Sequence, residues 1–324
     1  MCTAVTYQTK DHYFGRNLDL EYSYHETVTV TPRNYVFRFR NMGQMKNHYA
    51  MIGMAYIVEE YPLYYDATNE KGLSIAGLHF PKTAVYKPYL AGKDNVATFE
   101  LIPWILGQCA SVSEAQALLM RINLTDEDFC NQLPASPLHW IIADTERAIT
   151  LEAVKEGVKI YENPVGVLTN DPAFGYHMLN LNHYMHLTCK APENTFAENL
   201  DLKPYSRGMG AFGLPGDVSS VSRFVRAAFV KLNSVSGASE TESVGQFFHI
   251  LKSVERQRGC VRVAPDLYDI TVYSSCCNTD KGVYYYTTYD NSQINAVDMH
   301  RENLEGSTLI AYPLKKEQAI AFQN

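Results

Sequence analysis

Short apolar and aromatic runs punctuated by Asp, Asn, Gly and Pro mark residues 3–80, among them TAVTY, ETVTV, YAMIGMAYIV and GLSIAGLHF, and this pattern predicts antiparallel strands joined by turns. At TFELIPWILGQCA and SVSEAQALLMRI the apolar residues recur at helical spacing instead, with Ser111, Ser113 and Glu114 as cap residues of the second segment, so two helices are predicted. Strands resume in HWIIADTERAITLEAV and KEGVKIYENPVGVLTN, separated by the turn-like DTER and KEG. From about Asp171 to Ser219 the chain reads as a long irregular stretch with Pro172, Pro192, Pro204 and Pro215, a length that in a compact domain goes with function or surface wrapping. SVSRFVRAAFVKLNSV and ESVGQFFHILKSVERQ predict a second helical pair, and the Tyr-rich runs LYDITVYSSCCN, GVYYYTTYDN and TLIAYPL close the chain as strands.

Strands, two helices, strands, two helices, strands is the order expected when two antiparallel sheets stack and helices cover both outer faces. The fold class expected is therefore α+β, a four-layer αββα sandwich. No repeat, low-complexity tract or linker divides residues 1–324, so one domain is expected.

Composition narrows the function. Hydrophobic residues make up 46% and charged residues 19%, enough to bury a large core. The net charge of −7 and the lack of any Lys/Arg run argue against a nucleic-acid partner. The N-terminal MCTAVTYQTKDHYFGRN has neither a basic region nor an apolar one, and no run approaches the roughly 18 apolar residues of a spanning helix, so a cytoplasmic protein without a membrane partner is expected. Seven cysteines, odd in number and without Cys-x-x-Cys spacing, suggest neither a zinc site nor a disulfide framework.

One of them stands out. Cys2 follows Met1, and loss of Met1 before this small residue would leave a thiol and a free α-amino group on one residue. An N-terminal amine is an established activator of such nucleophiles, and ordinary values of about 7.7–8.0 for the amine and about 8.5 for the thiol make proton exchange nearly isoenergetic. A strand from Cys2 that turns near Lys10 would return Arg16 and Asp19 alongside it. There Arg16 would favour a thiolate and Asp19 would hold an ammonium, although the same two residues also fit an ordinary surface ion pair. Asn170 ends a strand where its carboxamide can donate to an oxyanion, and equally reads as a turn residue before Asp-Pro. Arg223, in the first turn of a helix capped by Ser219 or Ser220, is badly placed for a cation in the helix dipole, which points to a task; a solvated basic face is the other reading. GxGxxG, Walker A, HExxH and GxSxG are all absent.

Together MCTA, GRNLDLEYSY, NEKGLSIAGLHFP, LPASPLHWIIAD, NPVGVLTN, YSRGMGAFGLPGDVSSVSRF, YSSCCN and YYYTTYDNSQ, in order and almost end to end, resemble the choloylglycine hydrolase family of N-terminal nucleophile (Ntn) hydrolases, which comprises conjugated bile salt hydrolases and penicillin V acylases. The likeness is greatest to bile salt hydrolases of gut lactic acid bacteria. It implies the αββα Ntn hydrolase fold, a homotetramer, no metal or organic cofactor, and hydrolysis of glycine- or taurine-conjugated bile salts of the glycocholate and taurocholate type. Penicillin V acylase, or a weakly active ligand-binding paralogue, is the alternative. Position by position it makes Cys2 the nucleophile beside Arg16 and Asp19, Asn170 an oxyanion donor, and Arg223 part of the surrounding charge network. Bile salt hydrolases usually have Asn where this chain has His79, whose backbone N–H would still serve the oxyanion hole. Leu20, Tyr24, Tyr65, Leu133 and Leu138 are expected to line a steroid cleft, although apolar residues of this kind are more often core.

Overall fold

The strand Cys2–Gln8 (β1) is rich in β-branched and aromatic residues, and six of its seven positions are buried. His12–Leu20 (β2) is enclosed almost throughout even though it carries Arg16, Asn17 and Asp19. A strand with no exposed face must be covered on both sides, and that is the architecture found in the computed structural model, which describes residues 1–324.

Two large antiparallel sheets form the two middle layers. The six-stranded sheet runs in the order Val167–Leu168, β1, β2, Ile270–Asn278, Val283–Thr288, Asn291–Asp298. The eight-stranded sheet runs Gly157–Glu162, Ala148–Val154, Leu138–Ala143, Ser74–His79, Tyr61–Asn69, Met51–Val58, Thr27–Thr31, Ile310–Pro313. The helices α1 (Leu101–Leu106) and α2 (Val112–Leu119) share a core with the outer face of the eight-stranded sheet, through Leu101, Ile105, Val112, Ile75 and Trp140. A short helix, α3 (Phe174–Asn180), precedes α4 (Ser220–Asn233) and α5 (Glu240–Lys252). Phe224 of α4 and Phe247 of α5 join the other core, which also fills the space between the sheets with Phe14, Leu18, Ala76 and Ile141. The four-layer αββα sandwich expected from the element order is thus observed.

Local chemistry accounts for the helix ends. Ser111, Ser219 and Ser239 each accept a backbone N–H three residues on, and Glu242 completes a capping box at α5. Where the structure departs from the pattern, burial explains it. TFELIPWILGQCA yields a 3₁₀ turn at Thr98–Glu100 and only six residues of α-helix, because every residue of α1 is buried and the segment is wedged against the sheet with no polar face to extend along. The stretch after Asp171 begins with α3, whose Phe174, His177 and Met178, with Leu181 just past its end, follow helical spacing among prolines that mask it. A small parallel pair, Asp94–Ala97 with Ile122–Thr125, closes the ends of the α1–α2 unit, an exception to the antiparallel expectation. At Gly15 a Cβ would lie 1.9 Å from the Ser275 carbonyl oxygen, so only glycine allows β2 to approach the bulged strand Ile270–Asn278 this closely. No helix is long and apolar enough to cross a membrane.

Candidate active site

The β1–β2 hairpin sets the geometry. Cys2 pairs with Leu18, Thr3 with Asn17 and Ala4 with Arg16, so Arg16 and Asp19 do return beside the chain start. Side chains alternate along a strand, which sends the two companions of Cys2 to opposite faces. Arg16 faces the eight-stranded sheet, where its Nη1 donates to the carbonyls of Tyr65 (2.9 Å) and Gly77 (2.6 Å). Asp19 shares the helix-facing side with Thr3 and Asn17, which bond to Arg223 of α4 and to the Leu251 carbonyl of α5.

Arg16 is fully enclosed, and its Nε and Nη2 have no hydrogen-bond partner. Burial alone would lower the affinity of this guanidinium for its proton, but the charges of Cys2, Tyr273 and Asp66 outweigh it and push the pKa up. The cation therefore persists, and on the Cys2 face it offers an anionic sulfur a counter-charge. Asp66 lies close by and accepts the hydroxyls of Tyr273 (2.8 Å), Tyr284 (2.6 Å) and Ser275 (3.3 Å). Its burial raises the carboxyl pKa despite Arg16 and these hydroxyls.

On the helix-facing side, Asp19 Oδ1 accepts the Thr271 hydroxyl at 2.7 Å, while Oδ2 lies 3.6 Å from Arg256 and 3.9 Å from Arg223. Arg256 also pairs with Asp269 at 2.6 Å, and Asp269 lies 3.9 Å from the Met1 amino group. Two buried guanidiniums thus balance two carboxylates around the chain start. Burial raises the Asp269 carboxyl pKa, opposed by the amino terminus and Arg256.

Asn170 ties the faces together. Its Oδ1 accepts from the Cys2 amide and from Arg223 Nη2, each at 2.8 Å, while Nδ2 donates to the His79 carbonyl at 2.7 Å. Its backbone N–H donates to Ser220 Oγ at 2.9 Å, and its carbonyl accepts from His177 at 2.9 Å. One Nδ2 hydrogen is left over. Arg223, on the first turn of α4, donates to the carbonyls of Val218 (3.0 Å) and Cys2 (2.6 Å) as well as to Thr3 Oγ1 (2.6 Å). Burial brings its pKa down to about 10, with Asp19 opposing, so it stays charged at neutral pH.

His79 ends its strand opposite Leu138. Because Phe80 N–H bonds to the Pro137 carbonyl at 2.7 Å, His79 and Leu138 form the non-bonded pair of the ladder, and the N–H and C=O of His79 point the other way, toward Asn170. Burial lowers the imidazole pKa, and the amino terminus adds to this against Asp171 and Glu21.

The five residues expected to line a cleft do not all pack on one core. Leu20 and Tyr65 pack on the core that holds Cys2. Tyr24 lies 6.0 Å from the Tyr56 ring, and Leu133 sits in the loop before the strand Leu138–Ala143, bonded to Phe129 and Cys130. Leu138 packs on the opposite core, with Trp140. A cavity of about 690 Å³ at the far end of β1 is lined by Thr6, Gln8, His12, Asp144, Glu162 and Lys231, and its near wall at Thr6 is about 14 Å from Cys2 at roughly 3.4 Å per residue; its charged walls do not suit a steroid.

Pattern reading did not single out Asp66, Arg256, Asp269 or Thr271. The available signal was a charge at an inward strand position, as in YPLYYDATN.

The chain matches linear amide C–N hydrolases, choloylglycine hydrolase family, over residues 2–312. It is 58% identical to the bile salt hydrolase/transferase of Lactiplantibacillus plantarum across 98% of both chains. A solved variant of the conjugated bile acid hydrolase from Clostridium perfringens superposes with a TM-score of 0.92 at 37% identity, covering 100% of both chains. The penicillin V acylase from Agrobacterium tumefaciens shares the fold, with a TM-score of 0.77 at 17% identity over 99% of this chain and 100% of that one.

Proposed function

The chain belongs to the choloylglycine hydrolase family of linear amide C–N hydrolases, and on that footing we propose that it cleaves the amide bond of glycine- or taurine-conjugated bile salts, with Cys2 as the nucleophile after removal of Met1. The observation that carries the site assignment is the commitment of Asn170: its carboxamide touches the Cys2 nitrogen, Arg223 and the His79 carbonyl, and keeps one N–H free.

With Met1 attached, the Cys2 nitrogen is a peptide amide without basic character. Once Met1 is gone, the same nitrogen, 2.8 Å from Asn170 Oδ1, is an amine that can take the thiol proton. Sγ attacks the amide carbon, and the oxyanion is held by the spare Asn170 N–H and the His79 backbone N–H. Collapse breaks the C–N bond, and the leaving glycine or taurine nitrogen takes the proton from the Cys2 amine. Water then loses a proton to that amine as its oxygen attacks the thioester, the C–S bond breaks, and the thiol recovers its proton as the free bile acid leaves. Arg16 balances the sulfur's charge from the same face. Asp19, with Arg223 and Arg256, holds the chain start in place.

Leu20 and Tyr65, on the Cys2 core, would meet the steroid first, with Leu138 paired opposite His79 and Tyr24 and Leu133 contributing from loops. A homotetramer is supported by the strongly exposed Met185, Phe196, Tyr205 and Phe212 in the stretch after Asp171, apolar surface of the kind that subunits cover.

Mass spectrometry of the purified protein, with chromatography of products from taurocholate, glycocholate and penicillin V, tests the reading. Expected are loss of Met1 and release of cholate. Full activity with Met1 retained, or a strong preference for penicillin V, overturns it.

A further inference from the structure

Two buried histidines face one peptide segment, and neither belongs to the charge network around Cys2. His139 Nε2 lies 2.9 Å from the Thr169 carbonyl oxygen, and His177 Nε2 lies 2.9 Å from that of Asn170. Both rings are enclosed. A carbonyl oxygen can only accept, so each Nε2 carries a hydrogen and the bonds run from histidine to backbone. On the other side of its ring, His139 Nδ1 is 3.1 Å from Glu152 Oε1, which also accepts the Phe174 amide at 2.8 Å. His177 Nδ1 has no partner.

Stacking fixes the rings. His139 lies parallel to Phe80, with centroids 4.1 Å apart and planes 7° apart, and His177 stacks on Phe224 at 4.7 Å and 23°. Phe80 follows His79, whose carbonyl takes Asn170 Nδ2, and Phe224 follows Arg223, which holds Asn170 Oδ1. The two histidines that hold the backbone of Asn170 therefore stack on the chain neighbours of the two residues that hold its carboxamide. Asparagine has only two side-chain torsions, so rotation of its backbone carries the carboxamide with it.

We propose that His177 and the His139–Glu152 pair are positioning residues for acyl transfer at Cys2: they clamp the carbonyls on either side of the Asn170 Cα and so aim its one free Nδ2 hydrogen. This rests on the reading of Asn170 as an oxyanion donor. A 1 Å misplacement of a catalytic group costs up to about 100-fold in rate, so losing one clamp should lower kcat by about 10- to 100-fold and leave KM within about threefold.

The test compares His177→Leu, which removes the donor, with His177→Gln, whose amide N–H can replace Nε2–H, each in the wild-type and Asn170→Ala backgrounds of the full chain, with taurocholate as substrate. Circular dichroism and thermal midpoints measure the folded fraction, and His139→Leu with His139→Gln gives the same comparison where His177→Leu does not fold. The clamp predicts that the Leu variant loses kcat, that Gln restores most of it, and that the loss shrinks below about twofold when Asn170 is already Ala. Unchanged kcat per folded molecule, an effect on KM alone, no rescue by Gln, or an equal loss in both backgrounds overturns it. Wild-type kcat in the Asn170→Ala protein overturns the donor reading instead, a result separable from failure of the clamp.

Discussion

Replacing Arg223 by lysine keeps a cation on α4 but removes the planar fork. The guanidinium reaches the Val218 carbonyl through Nε, Cys2 O and Thr3 Oγ1 through Nη1, and Asn170 Oδ1 through Nη2. A lysine ammonium is a single point and can occupy only the Nη1 position, so the bonds to Val218 and Asn170 are lost. Hydrogen bonds to charged groups contribute about 1.5–3 kcal/mol each, which puts Arg223→Lys about 3–6 kcal/mol below the wild type. Charge is at risk as well. The burial that brings the guanidinium down to about 10 would act on an ammonium whose ordinary value is already about 10.4, so the lysine would tend toward the neutral form and leave Asp19 more dependent on Arg256. Asn170 Oδ1 would keep only the Cys2 nitrogen, and kcat should fall with stability. Urea unfolding at pH 7, fitted for midpoint and slope, measures the first effect, and initial rates on taurocholate per folded molecule measure the second. A variant within about 1 kcal/mol of the wild type and with unchanged kcat would show that the fork is dispensable and refute the reasoning.

Cys2→Ser should lose at least about 1,000-fold in activity at unchanged thermal midpoint, whereas Cys276→Ser, buried and away from the reaction, should keep its rate per folded molecule; equal activity of the Cys2→Ser protein would remove the nucleophile from the mechanism. Because burial lowers the His79 imidazole pKa below its ordinary value of about 6.5, its side chain is mainly neutral above pH 7, so the rate ratio of His79→Asn to wild type should change little between pH 7 and 8 and drift only in acid. A ratio that changes steeply between pH 7 and 8 contradicts this. His12 is enclosed and burial takes its pKa down to about 4, so between about pH 6.5 and 4 the unfolded chain binds the proton and the folded one does not. The folded state therefore loses roughly 3 kcal/mol from this residue as pH falls through that window, and a His12→Gln protein should show a correspondingly shallower fall in its urea midpoint; parallel curves would count against it.

Much of this was legible along the chain. The β1–β2 hairpin followed from two strand-forming runs joined near Lys10, and it fixed which residues oppose Cys2. Ser111 and Ser219 announced helix starts because an N-cap is a contact made within three residues. Element order anticipated the four layers. Less legible were α3, hidden among prolines, and the brevity of α1, because the helical spacing of TFELIPWILGQCA runs on beyond both ends of the helix that forms.

The roles of the polar residues divide in the same way. Sequence by itself set the chemical inventory, with a thiol at position 2, a carboxamide at the end of NPVGVLTN and an arginine in the first turn of a helix, and it set their local geometry. Tertiary structure decided that a second sheet covers Arg16 while helices cover Asp19, that Asp66 is enclosed by Tyr273 and Tyr284, and that Arg256 and Asp269 complete the charge balance around the chain start. A charged residue looks the same in a sequence whether water or another sheet covers it. Only the stacking of layers distant along the chain removes the water, and with the water gone each buried charge requires a partner.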